Sequence, residues 1–181
     1  MATIEGLDRM LAGHPFFEDM SERARGLIAG CAANRVFHRG EHLLREGDPA
    51  DVFYLLRHGS VAIELHAPGR SALVLETLRD GEVIGWSWLV PPYRTQFDAR
   101  AIGLVRALSI NGSCLRDKCA EDSSLGYEFL SRFARLLAER LTATRLQLLD
   151  LYGHPSDYAA RPAERPLEAP TSPAKPGPSG P

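Results

Sequence analysis

The sequence predicts a mainly β protein with flanking helices. Six to eight strand-sized runs recur at about ten-residue spacing through the middle of the chain, as in an antiparallel barrel or sandwich. Apolar patterns of helical period occupy the stretches before and after them. A length of 181 residues suits one domain with a sizeable core and a tail.

Residues 1–32 read as N-terminal helices. Ile4, Leu7, Met10 and Leu11 share one helical face, His14-Pro15 interrupts, and Asp19 or Ser21 caps a second helix that turns Ala24, Leu27, Ile28 and Cys31 inward. Residues 33–112 carry the strands. Arg35–His38, His42–Arg45 and Val52–Arg57 are strand-sized, punctuated by Gly40, Gly47 and Gly59. Val61, Ile63 and Leu65 alternate with Ala62, Glu64 and His66, the pattern of a half-buried strand. Residues 72–78 continue the series, and Phe97 to Ile110 supplies two more strands.

Residues 113–152 hold the C-terminal helices, the longest from roughly Ser124. In it Leu130, Ala134, Leu137, Leu141, Thr144, Leu148 and Leu151 recur at alternating spacings of four and three, the seam of a two-helix coiled coil. Phe129, Phe133 and Leu136 form a second stripe suited to docking on the β domain. One stripe for the core and one for a partner helix predicts a parallel homodimer; a helix packed wholly on its own domain is the simpler alternative. Residues 153–181 are proline-rich and poor in apolar side chains, so an extended or disordered tail is expected.

The stretch 80–101 combines an apolar pair, Gly85, a short helix-like piece, a double proline and Arg94. A glycine admits close backbone approach, helix-start N–H groups favour anions, and an arginine adds a charge-assisted contact. This outlines a phosphate-holding pocket; a tight turn with a surface arginine has the same outline.

A formal net charge of -2 gives no general attraction to nucleic acid or anionic membranes. No apolar run reaches membrane-spanning length and no signal-peptide pattern opens the chain, so a cytoplasmic location is the default. Cys31, Cys114 and Cys119 are an odd set with unhelpful spacing, read as reduced thiols rather than a disulfide framework. No metal is expected: His38, His42 and Glu46 lack the paired histidine motif of a cupin-type enzyme.

Phe37-His-Arg-Gly40, Arg45-Glu-Gly-Asp-Pro-Ala-Asp51, Phe53-Tyr-Leu-Leu-Arg-His-Gly59 and Asp80-Gly-Glu-Val-Ile-Gly85 together resemble the successive motifs of cyclic nucleotide-binding domains, nearest to the catabolite activator (Crp/Fnr) superfamily. The resemblance covers about residues 14 to 152. It implies an antiparallel β-roll with N-terminal helices and a long C-terminal dimerisation helix, and it makes 80–101 the phosphate-binding cassette. Gly85 then occupies the cassette glycine, Gly85 to Ser87 present backbone N–H groups, and Arg94-Thr95 resembles the phosphate-holding pair. Thr144 and Arg145 match positions that contact the purine.

Two departures accompany the match. Trp86 stands where the family has a glutamate for the ribose hydroxyl, and an indole offers no acceptor for it. Between Arg94 and the Arg100-Ala101 pair lies one residue more than usual, implying a bulge or a displaced Arg94. Trp86, Trp88 and Tyr93 add aromatic surface that either stacks a base or fills the pocket.

The resemblance implies a non-enzymatic sensor, with cyclic AMP or cyclic GMP as candidate effector, acting as a homodimer on a protein partner. No helix-turn-helix follows the long helix, so no direct nucleic-acid contact and no membrane contact are expected. The alternative is a degenerate domain that dimerises and binds proteins without nucleotide.

Overall fold

The computed structural model describes residues 4–66, 69 and 71–152. They belong to two compact units, Met1–Arg135 and Leu136–Pro181. The proline-rich stretch 153–181 lies outside the described residues.

The first unit opens with α1 (Ile4–Ala12), a 3-10 turn at Pro15–Phe17 and α2 (Glu22–Ala29). Of the two cap candidates Ser21 is the one used: its Oγ accepts from Ala24 N–H at 3.3 Å. Asp19 sits at φ 61 in the connecting turn instead. Eight strands follow: β1 (Ala32–Phe37), β2 (His42–Leu44), β3 (Val52–His58), β4 (Val61–Leu65), β5 (Leu73–Leu78), β6 (Val83–Ile84), β7 (Asp98–Ala101) and β8 (Val105–Asn111). They form two four-stranded antiparallel sheets, ordered β1-β8-β3-β6 and β2-β7-β4-β5. Helices α3 (Gly112–Glu121) and α4 (Ser123–Tyr152) complete the described chain.

Period-2 alternation on β3 builds two cores. Tyr54 and Leu56 face the space between the sheets, with Leu43, Val61, Leu78, Ile84, Ala99 and Ala107. Phe53 points the other way, stacked on Trp88 at 4.9 Å and edge-on to Phe133 at 5.5 Å. Phe129 and Phe133 of α4 are both buried there, as the second helical stripe requires. The tight β3–β4 turn needs a glycine: a Cβ on Gly59 (φ +99) would lie 2.3 Å from the Leu104 carbonyl oxygen.

The reading of all three cysteines as reduced thiols is corrected. Cys31 and Cys114 form a disulfide with Cα atoms 5.9 Å apart, across a sequence separation of 83. The reason is topological. β1 pairs with β8 in the register Ala32↔Ile110, which sets Cys31 beside the end of β8, where α3 begins. Strand pairing, invisible in cysteine spacing, brings the two sulfurs together. Cys119 remains a free thiol, and burial, with help from Asp122, pushes its pKa up.

Candidate functional site

The stretch 80–101 crosses from one sheet to the other. On the incoming side β6 pairs with β3 (Tyr54↔Ile84, Leu55↔Val83), and Gly81 N–H donates to the Leu56 carbonyl at 2.7 Å. On the outgoing side β7 enters the second sheet between β2 and β4. The connection between them runs back along the turn after β2. Thr95 N–H donates to Asp48 O (2.9 Å), Gly47 N–H to Thr95 O (2.8 Å) and Ala50 N–H to Tyr93 O (2.8 Å).

Gly85 adopts φ +85, and an added Cβ would come within 2.9 Å of Leu44 Cδ1, so the position tolerates only glycine in this backbone. Trp86 follows as the N-cap of a 3-10 turn, Ser87–Leu89, making no side-chain cap bond while its carbonyl accepts from Leu89 N–H at 3.0 Å. Ser87 is buried and Trp86 half-buried. Trp88, a candidate ligand contact that the sequence leaves open between stacking a base and filling the pocket, is a core side chain: it is 2 % exposed and packs against Phe53, Phe129 and Phe133. Its placement follows from the 3-10 turn, which sends Trp86 and Trp88 in different directions.

Arg94 is exposed and donates from Nη1 to the Gly47 carbonyl at 3.0 Å. The extra residue between Arg94 and Arg100 bears on the pairing of β7 with its two neighbours. β7 carries no bulge against β4, since Val61↔Ala101 through Glu64↔Asp98 run in unbroken register. The irregularity lies on β2, where His42↔Arg100 is followed by Leu44↔Ala99. Thr95, next along, is 7 % exposed and borders a cavity of about 210 Å³ with Leu44, Arg45, Asp48 and Val52. A larger cavity of about 810 Å³ opens at the β1–β2 edge, reaching Cys31, Arg35, Tyr54, Ser109 and Asn111.

Thr144 and Arg145 lie in the second unit, both exposed. The Thr144 hydroxyl donates to Arg140 O, one turn back, at 2.9 Å. Along the seam, Leu130, Ala134, Leu141 and Leu148 are exposed and Leu137 is half-buried. Exposed leucines at coiled-coil spacing are apolar surface still available to a partner.

Two groups that the sequence left unassigned organise the site. Arg116 of α3 donates to the Trp88 carbonyl at 2.7 Å, and its guanidinium lies 4.5 Å from the centre of the Tyr93 ring. It thus grips the cassette at two points. Arg100 of β7 meets Glu64 of β4 through two hydrogen bonds, Nε to Oε2 at 3.0 Å and Nη2 to Oε1. This bond from Arg100 holds the buried Glu64 carboxyl below the usual carboxylate range. Glu64 and Asp98 stand directly opposite in the ladder, which would set like charges together. Arg100 answers Glu64, while His42 (3.5 Å) and His66 (3.3 Å) flank Asp98. The signal for Arg116 was absent: a helix-surface arginine carries no motif.

Residues 34–122 match the family model described as the cyclic nucleotide-binding domain. The chain carries a cyclic nucleotide-binding domain. It is 28% identical over 145 residues to the CRP-like cAMP-activated global transcriptional regulator of Mycobacterium tuberculosis, a match covering 80% of this chain and 63% of that protein. The chain therefore spans less than two thirds of that relative. Among solved structures, a cyclic nucleotide-binding domain from Methylobacillus flagellatus KT superposes with a TM-score of 0.68 at 20% identity, covering 81% of this chain and 83% of the other. A protein of Geobacter metallireducens GS-15 assigned to the same class gives a TM-score of 0.65 at 27% identity, covering 75% of this chain and 97% of that one. The two sheets and four helices are the fold of this family.

Proposed function

We propose that this cyclic nucleotide-binding domain is a non-enzymatic, cytoplasmic sensor: a homodimer that takes a small nucleotide-like or phosphate-bearing ligand at the cassette and signals to a protein partner. The observation that carries the reading is the cassette's place as the crossing between the two sheets, bonded to β3 before it and to the 47–50 turn after it. A ligand held there acts on both sheets at once.

In this reading the backbone of Gly85 to Ser87, Arg94 and Thr95 meet the phosphate-bearing part. The family resemblance assigns Thr144 and Arg145 to the base, and the seam from Leu130 to Leu151 is the contact proposed between two copies. Arg94 bonds the Gly47 carbonyl through Nη1, and its guanidinium carries further N–H donors that can meet a phosphate. A phosphate offers a guanidinium a bidentate pairing of opposite charges that a single carbonyl does not. Signalling requires that the ligand prefer one of two dimer states, since equal affinity for both shifts nothing. The M. tuberculosis relative is described as cAMP-activated, which makes cyclic AMP the first probe.

Trp86 and the engaged Arg94 favour a second reading, in which the roll and α4 serve as a protein-interaction module without nucleotide. Isothermal titration of the folded protein with cyclic AMP, cyclic GMP and cyclic dinucleotides separates the two. Saturable heat with any of them supports the sensor. No heat from any, with a specific partner recovered in the absence of nucleotide, establishes the second reading instead.

A further inference from the structure

The first turn of α3 is tied to the rest of the first unit more densely than its length suggests. Asn111 caps it, with Oδ1 accepting from Cys114 N–H at 2.8 Å. Asn111 N–H donates to Cys31 O at 2.9 Å, and Gly112 N–H to Asp51 O at 2.8 Å. Gly112 packs so close to Trp88 that an added Cβ would lie 3.0 Å from the Trp88 Cβ. The Cys31–Cys114 disulfide then fixes this turn covalently to the start of β1. Two residues beyond Cys114 comes Arg116, the side chain that grips the cassette at the Trp88 carbonyl and the Tyr93 ring. A single short element thus carries the disulfide at one end of a turn and the cassette grip at the other.

From this connection we infer that Cys31–Cys114 is a thiol–disulfide exchange site whose redox state sets the order of the cassette. Cys31 is buried at 8 % exposure while Cys114 is half-buried, so Cys114 is the more accessible end of the bond for a small thiol. The thiolate of a dithiol reductant attacks Cys114 Sγ. The Cys31–Cys114 bond breaks, a mixed disulfide forms at Cys114, and Cys31 leaves as thiolate and takes a proton. The second thiol of the reductant then displaces Cys114, giving two protein thiols and the oxidised reductant. Two electrons have entered the protein.

With the bond cut, the α3 turn keeps its cap and its packing but loses its covalent tie to β1. Arg116 then holds the cassette from a helix end that opens more readily. Cys119 takes no part. It is half-buried, with its pKa pushed up, and so is a poor nucleophile. The inference concerns the conformation of the cassette and does not rest on which ligand it takes.

The test uses the full-length chain without ligand. After air oxidation, alkylation under denaturing conditions is expected to label one cysteine, and all three after treatment with dithiothreitol. Amide hydrogen exchange across 85–95 is expected to quicken by about fivefold or more on reduction, with β3 and β8 unchanged. Arg116→Gln is expected to quicken the same segment while the disulfide stays intact, and Cys119→Ser to change neither measurement. Three labelled cysteines in the oxidised protein would overturn the proposal. So would exchange in 85–95 that does not respond to full reduction, or a rise spread evenly over the whole roll. Because no nucleotide is present, these outcomes stand apart from those of the titration.

Discussion

His14 is a side chain whose ionisation the fold resists. It is 4 % exposed, and its Nδ1 accepts from Phe16 N–H at 3.2 Å, which leaves the proton on Nε2. No acceptor of good geometry meets that N–H, and the nearby Leu56 carbonyl already receives Gly81 N–H at 2.7 Å. Burial lowers the pKa from 6.5 to about 4, with the Leu56 carbonyl pulling it back up and Arg57 pushing it further down. The unfolded chain therefore takes up a proton near pH 6.5 while the folded one does not until near pH 4. Stability on this account is full above pH 6.5 and falls as the pH drops toward 4, by about 3 kcal/mol in all. Urea unfolding at a series of pH values should show the loss, and His14→Gln should flatten that part of the profile. At this scale the sequence was partly legible. Gly85 could be placed because only glycine tolerates its backbone, a demand that leaves its mark on the residue itself. The carbonyls that Arg94 and Arg116 bond could not, because each is presented by a distant turn, and any residue can supply a carbonyl.

Among the elements, β3 and α4 divide the work of holding the roll to its helices. β3 supplies Phe53 to one core and Tyr54 and Leu56 to the other, so its alternation fixes which side the helices take. Phe133 of α4 is 1 % exposed and meets Phe53, Trp88 and Phe129 with ring centres between 5.3 and 5.6 Å. Phe133→Ala should cost about 3 to 5 kcal/mol, the range for truncating a buried phenylalanine. Chemical denaturation reads it as a shifted midpoint with an unchanged slope. The strands were legible because alternation and turn glycines mark them in the local sequence. The disulfide was not, since it depends on β1 lying beside β8, a pairing of residues far apart in the chain. The bulge on β2 escaped for the same reason: it is a mismatch between two strands, and neither His42 nor Leu44 shows it alone.

At the scale of the whole molecule, α4 carries an exposed apolar stripe. Leu130, Leu141 and Leu148 are each about half exposed or more, at 51%, 52% and 47%. If the stripe is the dimer seam, Leu141→Arg places a charge in it and should convert the dimer to monomer in sedimentation velocity, with the roll still folded. A wild-type monomer at working concentration would refute the seam.

The placing of the two tryptophans has a consequence of another kind. The chain contains only two, and both lie in the cassette, one half-buried and the other sealed against Phe53. Indole fluorescence from this protein therefore has no other source. Light excited at the red edge of its absorption comes back from the cassette alone, one emitter near water and one in a dry aromatic box. The molecule carries its own optical probe at the place where its state is in question, and needs no label to report it.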